Sequence, residues 1–330
     1  MRIALHTGQL AQPVPGGIGR YVAGLLERLP GAGVEVEAFT GGRWHYEAWH
    51  RFRRPVPRLR RPADVVHAPS LAVPPPGRAP LVVTVHDLAF LTHPGCFTAR
   101  GRAFHARGLE LARREALVVV VPSRFTGDEL AAHGFPGELI HVVPHGIDLP
   151  PERSEAASPV PGPFVLAVGT VEPRKGIDVL LEAFSRLDGS GARLVIAGPR
   201  GWGEVPDLDR PGVVALGRVD EATLDGLYRH AAVLAVPSRT EGFGLPVLEA
   251  MARGCPVVAS DAGALPEVVG DAGILVPAGD PEALAAALGA LLADENRRAA
   301  LAAAGRRRTA EFTWPACLDG HLRAYEAALA

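Results

Sequence analysis

The stretch Val233-Leu-Ala-Val-Pro-Ser-Arg-Thr-Glu241-Gly-Phe-Gly-Leu-Pro246-Val-Leu-Glu249-Ala-Met-Ala252 changes character twice along its length. It opens as a short apolar run of strand type, breaks at two glycines, and resumes as a helical pattern with a proline in the first turn, where proline is tolerated. Strand, glycine loop and helix in this order are the working part of a βαβ unit. Gly242 and Gly244 allow backbone amides to come close to a ligand, and the helix N-terminus adds the positive end of its dipole, so the turn is a seat for an anion. Glu241 and Glu249 stand eight residues apart, one in the loop and one in the first turns of the helix. Carboxylates beside an anion seat repel phosphate unless they face sugar hydroxyls, from which they accept hydrogen bonds. The plain alternative is one surface acid and one acid favoured by the helix dipole. Loop, proline and spacing occurring together favour a site.

The same alternation runs outward in both directions. Towards the N-terminus, strand patterns fall at 3–5, 34–39, 65–67, 81–85, 117–121 and 141–143, with helical patterns at 18–29, 99–113 and 124–133. Residues 149–163, LPPERSEAASPVPGP, hold five prolines and no hydrophobic period, which marks a linker at 151–163. A second series starts at Phe164-Val-Leu-Ala-Val-Gly169 and continues with strands near 193–197, 213–216, 233–236, 257–259 and 274–276, before two long Ala/Leu/Arg-rich helices. The fold class is therefore α/β, with two Rossmann-like doubly wound domains: an N-terminal one at 1–150 and a C-terminal one at 164–311. Sheets of this kind bind ligands at the carboxyl ends of their strands.

At 330 residues the chain suits two domains of ordinary size. Its formal net charge of −2 argues against a nucleic-acid partner. The halves differ, with 17 basic against 12 acidic residues over 1–150 and 17 against 24 over 151–330, a polarity that suits a charged partner on one face. Three widely spaced cysteines (Cys96, Cys255, Cys317) form neither a disulfide framework nor a zinc motif and fit a reducing compartment. With no secretory leader pattern and no run long enough to span a bilayer, the expected location is the cytoplasm, with peripheral contact at the inner membrane face allowed for.

A second constellation is Val168-Gly169-Thr-Val-Glu-Pro-Arg174-Lys175-Gly176, where two adjacent cations follow a strand and precede a helix. That placement suits neutralising a diphosphate leaving group. Lys175 is the only lysine among 34 basic side chains, which points to a specific need for an ammonium. In the first half, Gly16-Gly17-Ile-Gly19 opens a helix, but Val22 replaces the third small residue of a dinucleotide fingerprint and the glycines stand too far from the preceding strand. A glycine loop over a phosphate or sugar fits better. His86 and Asp87 end a buried strand in Thr84-Val-His-Asp-Leu-Ala-Phe90, where a histidine is as readily structural as functional.

These segments, together with PSRFTGDEL at 122–130, VVPHGID at 142–148 and ALGRVDEATLDGLY at 215–228, resemble the family 4 glycosyltransferases. The likeness covers nearly the whole chain, and the Glu-x7-Glu block is its most specific part. The resemblance implies the GT-B architecture, two domains facing across a cleft, with residues 312–330 crossing back onto the first, acceptor-side domain. It also implies transfer of a hexose from a nucleotide-diphosphate sugar with retention of configuration, without a metal or other cofactor. By the same resemblance Arg174 and Lys175 meet the diphosphate, and Glu249 the ribose. Glu241 with the amides of Gly242, Phe243, Gly244 and Leu245 meets the hexose, Val219 lies beside the base, Gly16 and Gly17 beside the phosphates, and His86 near the reacting sugar. The sequence forms are most similar to mannosyl- and rhamnosyl-type members, making GDP-mannose the first donor to test and a glycan, lipid-linked or small-molecule acceptor the partner. His145 departs from the Asn more usual at its position.

Alternatives in other classes are a nucleotide-sugar epimerase on the same fold and a non-catalytic sugar-nucleotide-binding protein. Asp207-Leu-Asp209 matches a metal-binding pattern of another glycosyltransferase architecture but lies in a Gly/Pro-rich loop away from the other motifs. The stretch 43–61, rich in arginine and aromatics, reads as a solvated loop, or as a contact for an anionic membrane or lipid-linked acceptor through Arg51–Arg61.

Overall fold

Leu81-Val-Val-Thr84 and Val233-Leu-Ala-Val236 are buried at every position, which a strand achieves only inside a sheet covered on both faces. In the computed structural model, which describes residues 1–12, 16–55, 57–150, 158–187, 189, 191–201 and 203–330, such runs build two all-parallel sheets of six strands each. The chain divides into two compact units, one of residues 1–94, 99–146 and 313–330, the other of residues 95–98 and 147–312. Most of the expected linker, 151–157, lies outside the described residues.

The first sheet contains β1 (Arg2–His6), β2 (Glu35–Phe39), β3 (Val65–Ala68), β4 (Leu81–Thr84), β5 (Ala116–Val121) and β6 (Ile140–Val142), in the spatial order β2-β1-β3-β4-β5-β6. Around it lie α1 (Gly16–Arg28), α2 (Arg43–Phe52), α3 (Ala89–Thr92), α4 (Ala99–Glu115) and α5 (Arg124–Ala132). The second sheet contains β7 (Phe164–Val168), β8 (Arg193–Ala197), β9 (Val213–Gly217), β10 (Val233–Val236), β11 (Val257–Ser260) and β12 (Ile274–Val276), ordered β12-β11-β10-β7-β8-β9. Its helices are α6 (Ile177–Ser185), α7 (Glu221–His230), α8 (Leu245–Ala252), α9 (Leu265–Val269), α10 (Pro281–Ala293) and α11 (Glu295–Thr309).

Both orders are doubly wound. In the second sheet the chain builds outward from β7 through β8 and β9, then returns to place β10 on the other side of β7. The loops leaving β7 and β10 therefore diverge from neighbouring strands, which opens a crevice at their carboxyl ends. Those two loops carry the Arg174-Lys175 and Glu241 motifs.

The last helix, α12 (Trp314–Leu329), follows the two Ala/Leu/Arg-rich helices α10 and α11 and belongs to the first unit. Thr313 caps it by accepting from the Ala316 amide at 3.3 Å, and Trp314, Cys317, His321 and Tyr325 are buried along it. Gly24, Gly146 and Gly320 leave the space it fills: a β-carbon at either of the first two would overlap Trp314, and one at Gly320 would press on Val143.

The reading of 43–61 as a solvated loop is corrected over 43–52 by α2. Its Trp49 is buried, packed edge-on to His6, Phe39 and Tyr46, and donates its indole N–H to the Pro55 carbonyl at 2.8 Å. That tertiary anchoring supplies what the arginine-rich local composition does not. The helix leaves Trp44 81% and Phe52 65% exposed. Several arginines of this region serve the fold: Arg53 bonds Glu115 and the carbonyls of Val73 and Pro74, and Arg61 pairs with Glu35.

Candidate functional site

The turn after β7 is shaped by what cannot be there. Gly169 takes φ 141° and donates to the Ala197 carbonyl at 3.0 Å, and a side chain on Gly198 would overlap its carbonyl oxygen. Glu172 is extended, and residues Pro173–Lys175 form one 3₁₀ turn that the left-handed Gly176 (φ 64°) ends. The turn is tied to the exit of β10 by the Arg239 amide, which donates to the Arg174 carbonyl at 2.8 Å. A β-carbon on Gly176 would overlap the Pro237 carbonyl oxygen as well as strain the backbone. Gly176→Ala is therefore expected to cost at least about 2 kcal/mol. That lowers the melting temperature by several degrees, and an unshifted thermal transition would show that the two loops are not clamped in this way.

From the other side, β10 leads through Ser238 and Thr240 to Glu241. Gly244, left-handed at φ 106°, ends the loop as the N-cap of α8 and accepts from the Val247 amide at 2.9 Å. The Glu241 carbonyl accepts from the Ala264 amide at 2.8 Å, and Gly263 packs so tightly on the Glu241 backbone that a β-carbon there would overlap it.

The two loops meet in a cluster of charges. Lys175 Nζ donates to Glu241 Oε1 at 2.6 Å, Ser238 Oγ to the same oxygen at 2.6 Å, and Arg174 to Glu241 Oε2 at 3.1 Å. Arg174 also donates to the Thr240 carbonyl at 3.2 Å and to Glu172 Oε1 from Nε at 3.2 Å, with its second terminal nitrogen 3.0 Å from that oxygen. Burial alone would raise the Glu241 pKa, but the charges of Lys175 and Arg174 and the hydrogen bonds from Lys175 and Ser238 outweigh it and hold the carboxyl at about 2. Glu172 moves the other way: burial raises its pKa, with the Arg174 and Lys175 charges opposing and Glu241 adding to the rise. The recess beside this cluster is lined by Gly169, Lys175, Ser238, Glu241 and Pro246. It lies at the carboxyl ends of β7 and β10.

Glu249 is on α8, partly buried, and accepts from the Tyr228 hydroxyl at 2.8 Å. Val219, on the segment after β9, packs partly buried against the core cluster that contains Leu248. Phe243 is turned inward, edge-on to Phe312 with ring centroids 5.8 Å apart, so towards a ligand it offers backbone rather than ring. Gly242 is buried and Leu245 half-buried in the same turn.

The remaining expected site residues belong to the first unit. Gly16 (φ 62°) and Gly17 are exposed at the start of α1, and residues 13–15 of that loop lie outside the described residues. His86 follows β4. Its Nε2 is 2.9 Å from the Pro69 carbonyl and its Nδ1 3.3 Å from His145 Nε2. A neutral Nε2–H tautomer satisfies both contacts, with His145 donating to Nδ1. Burial lowers the pKa of both rings, so the pair is uncharged near neutrality. His145, where the family pattern more often has Asn, is thus the hydrogen-bond partner of His86.

The sequence reading drew no role for Ser238, Tyr228 or Glu172. Ser238 stands three residues before Glu241 in the quoted motif, a spacing that lets a hydroxyl reach back to a carboxylate; nothing local distinguishes Tyr228. Asp207 Oδ1 accepts from the Asp209 amide at 3.0 Å in an exposed turn. Among the described residues no group of three or more His, Cys, Asp or Glu side chains is placed to hold a metal ion, and no helix is long and apolar enough to cross a membrane.

Comparison with known proteins covers both halves. Residues 15–150 match the model for glycosyltransferase family 4, and residues 162–294 that for the glycosyl transferases group 1. A D-inositol 3-phosphate glycosyltransferase of Kineococcus radiotolerans is 30% identical across 99% of this chain and 94% of its own. O-antigen chain mannosyltransferase B of Escherichia coli is 31% identical across 74% of this chain and 70% of its own. The sucrose-phosphate synthase of Thermosynechococcus elongatus has the same GT-B type of fold, with a TM-score of 0.76 at 22% identity over 99% of this chain and 98% of that one. With both halves matched and nearly the full length of a relative aligned, the chain belongs to glycosyltransferase family 4.

Proposed function

We propose that this glycosyltransferase moves a hexose, with mannose the first choice, from a nucleotide-diphosphate donor, with retention of configuration and without a metal ion. The observation that carries this reading is the pair Arg174 and Lys175 at the carboxyl end of β7, each bonded to the buried Glu241. Two cations beside a helix N-terminus supply the positive charge that a departing diphosphate needs. The mannosyltransferase relative supports mannose as the transferred sugar, and the inositol-phosphate relative supports a small phosphorylated acceptor alongside glycan and lipid-linked ones.

Each residue has a stated task in this reading. Lys175 and Arg174 exchange Glu241 for the diphosphate oxygens and hold them more strongly as the glycosidic bond opens and negative charge collects there. Glu241, released from the cations, accepts hydrogen bonds from the hexose with the amides of Gly242 to Leu245 beside it. Glu249 accepts from the ribose hydroxyls, Val219 flanks the base, and Gly16 and Gly17 lie over the phosphates. His86, with both ring nitrogens bonded within the protein, presents a neutral imidazole near the sugar, so it contributes shape rather than charge.

The test is a melting-temperature panel of nucleotide diphosphates and their sugars, since a ligand of the native state raises stability by mass action. Turnover with the donors that bind is then followed in excess EDTA. The expected result is release of nucleotide diphosphate that depends on an acceptor and is unaffected by chelator, with the donor anomer retained in the product. Activity lost in EDTA and restored by Mg²⁺ or Mn²⁺ would overturn the metal-free assignment. An isomerised donor, or binding without turnover, would replace the transferase reading by an epimerase or a binding protein.

A further inference from the structure

Glu172 is not accounted for by any of these tasks. Its side chain is only 3% exposed, and of its two oxygens Oε1 accepts from Arg174 while Oε2 is enclosed with no hydrogen-bond partner among the described residues. A fold gains nothing from burying a carboxylate with half its acceptors idle unless the charge is used. Arg174 shows where. Its guanidinium lies between two carboxylates, with Nε and one terminal nitrogen facing Glu172 and the other terminal nitrogen facing Glu241 and the Thr240 carbonyl. Only the second edge faces the carboxylate shared with Lys175.

We propose that Glu172 is a positioning residue for sugar transfer, fixing Arg174 by its Nε edge so that the opposite edge, with Lys175, is presented to the diphosphate. When the diphosphate displaces Glu241, the bond to Glu172 keeps the guanidinium plane in place. Without it a long arginine stem must be ordered anew in each turnover, and the transition state loses a fixed charge. This inference rests on the assignment of Arg174 to the diphosphate.

The charged and titratable groups facing Glu172 among the described residues are Arg174, Lys175 and Glu241, with the Cys96 thiol from the 95–98 segment, and burial raises the Glu172 pKa against the two cations. Protonation removes the charge that holds Arg174, so activity falls as pH falls through that raised pKa, earlier than an ordinary glutamate would cause. Glu172→Gln imitates the protonated state.

The experiment measures kcat and the affinity for GDP, or whichever nucleotide diphosphate stabilises the wild type, between about pH 5 and pH 8. Four proteins are compared: wild type, Glu172→Gln, Arg174→Ala and the double variant. Glu172→Gln is expected to lower kcat about tenfold, the worth of one charged hydrogen bond. Its acid limb should vanish, so that the wild type converges on it at low pH, and in the Arg174→Ala background it should add less than about twofold. An unchanged kcat, an unchanged pH profile, or a full additional loss in the Arg174→Ala background would overturn the positioning role. If Glu172→Gln fails to fold, the profiles of wild type and Arg174→Ala decide: an acid limb present only in the wild type supports the proposal, and one present in both overturns it. Unaltered nucleotide affinity and kcat in Arg174→Ala would instead overturn the diphosphate assignment, leaving the geometry of Glu172 without a task.

Discussion

Lys175→Ala is expected to lower kcat by roughly 10²-fold or more while the protein stays folded. The ammonium is bonded to Glu241 at 2.6 Å, and its side chain is 18% exposed beside the recess. A cation placed at a developing diphosphate gains strength as the leaving group's charge grows, so its loss is felt in the transition state more than in the ground state. The structural cost is real but bounded. Removing one partner of a buried pair costs about 3–5 kcal/mol when nothing else compensates the remaining charge. Here Arg174 and Ser238 remain on the same carboxylate, so the loss should fall below that range. Steady-state kinetics beside a thermal melt check both parts. A collapsed melting temperature with kcat unchanged would make Lys175 a structural residue and remove the leaving-group argument.

The contrast between Lys175 and Glu172 shows how far the sequence could be read. Lys175 is legible because it is the only lysine in the chain and directly precedes the glycine of a strand-to-helix turn. Glu172 is written three residues earlier, but a lone glutamate in a loop has the local pattern of a solvated one. Its burial depends on residues 198–201 folding over the turn, through the Val171 and Arg200 bridge and the Gly201 amide that donates to the Val171 carbonyl at 3.0 Å. The strands were legible for a simpler reason: parallel strands covered on both faces must be continuously apolar, as Val233-Leu-Ala-Val236 is. Their spatial order was not, since no local pattern says that β10 returns to the far side of β7. That order brings Glu241 against Lys175 across 66 residues. The helix α2 was missed because its buried Trp49 and His50 are held by His6, Phe39 and Phe104, which are far away in sequence.

The same ion cluster sharpens what the two glutamates should do when each is changed to glutamine. Glu241 is bonded to both cations and held at a pKa of about 2, so it remains a carboxylate throughout the working pH range. A nucleotide diphosphate must compete with it for Lys175 and Arg174. Glu241→Gln removes that competitor, and nucleotide diphosphate alone should bind at least as well as to the wild type. The hexose, however, loses a charged acceptor at the moment its glycosidic bond opens, so kcat should fall. Glu249 accepts from Tyr228 on an element away from the cations, and the ribose it is assigned to does not change during reaction. Interactions that are equal in ground and transition states appear in KM, and those made only in the transition state appear in kcat. Glu249→Gln should therefore raise the donor KM and weaken nucleotide binding with little change in kcat. Charged hydrogen bonds are worth about 1.5–3 kcal/mol, which makes each effect at least roughly tenfold. Titration calorimetry with the nucleotide diphosphate, beside initial-rate kinetics with the full donor, separates the two. If nucleotide binding weakens in Glu241→Gln and survives in Glu249→Gln, the roles are exchanged. If both variants keep full activity, the Glu-x7-Glu block lies outside the donor site and the charge cluster it completes serves only the fold.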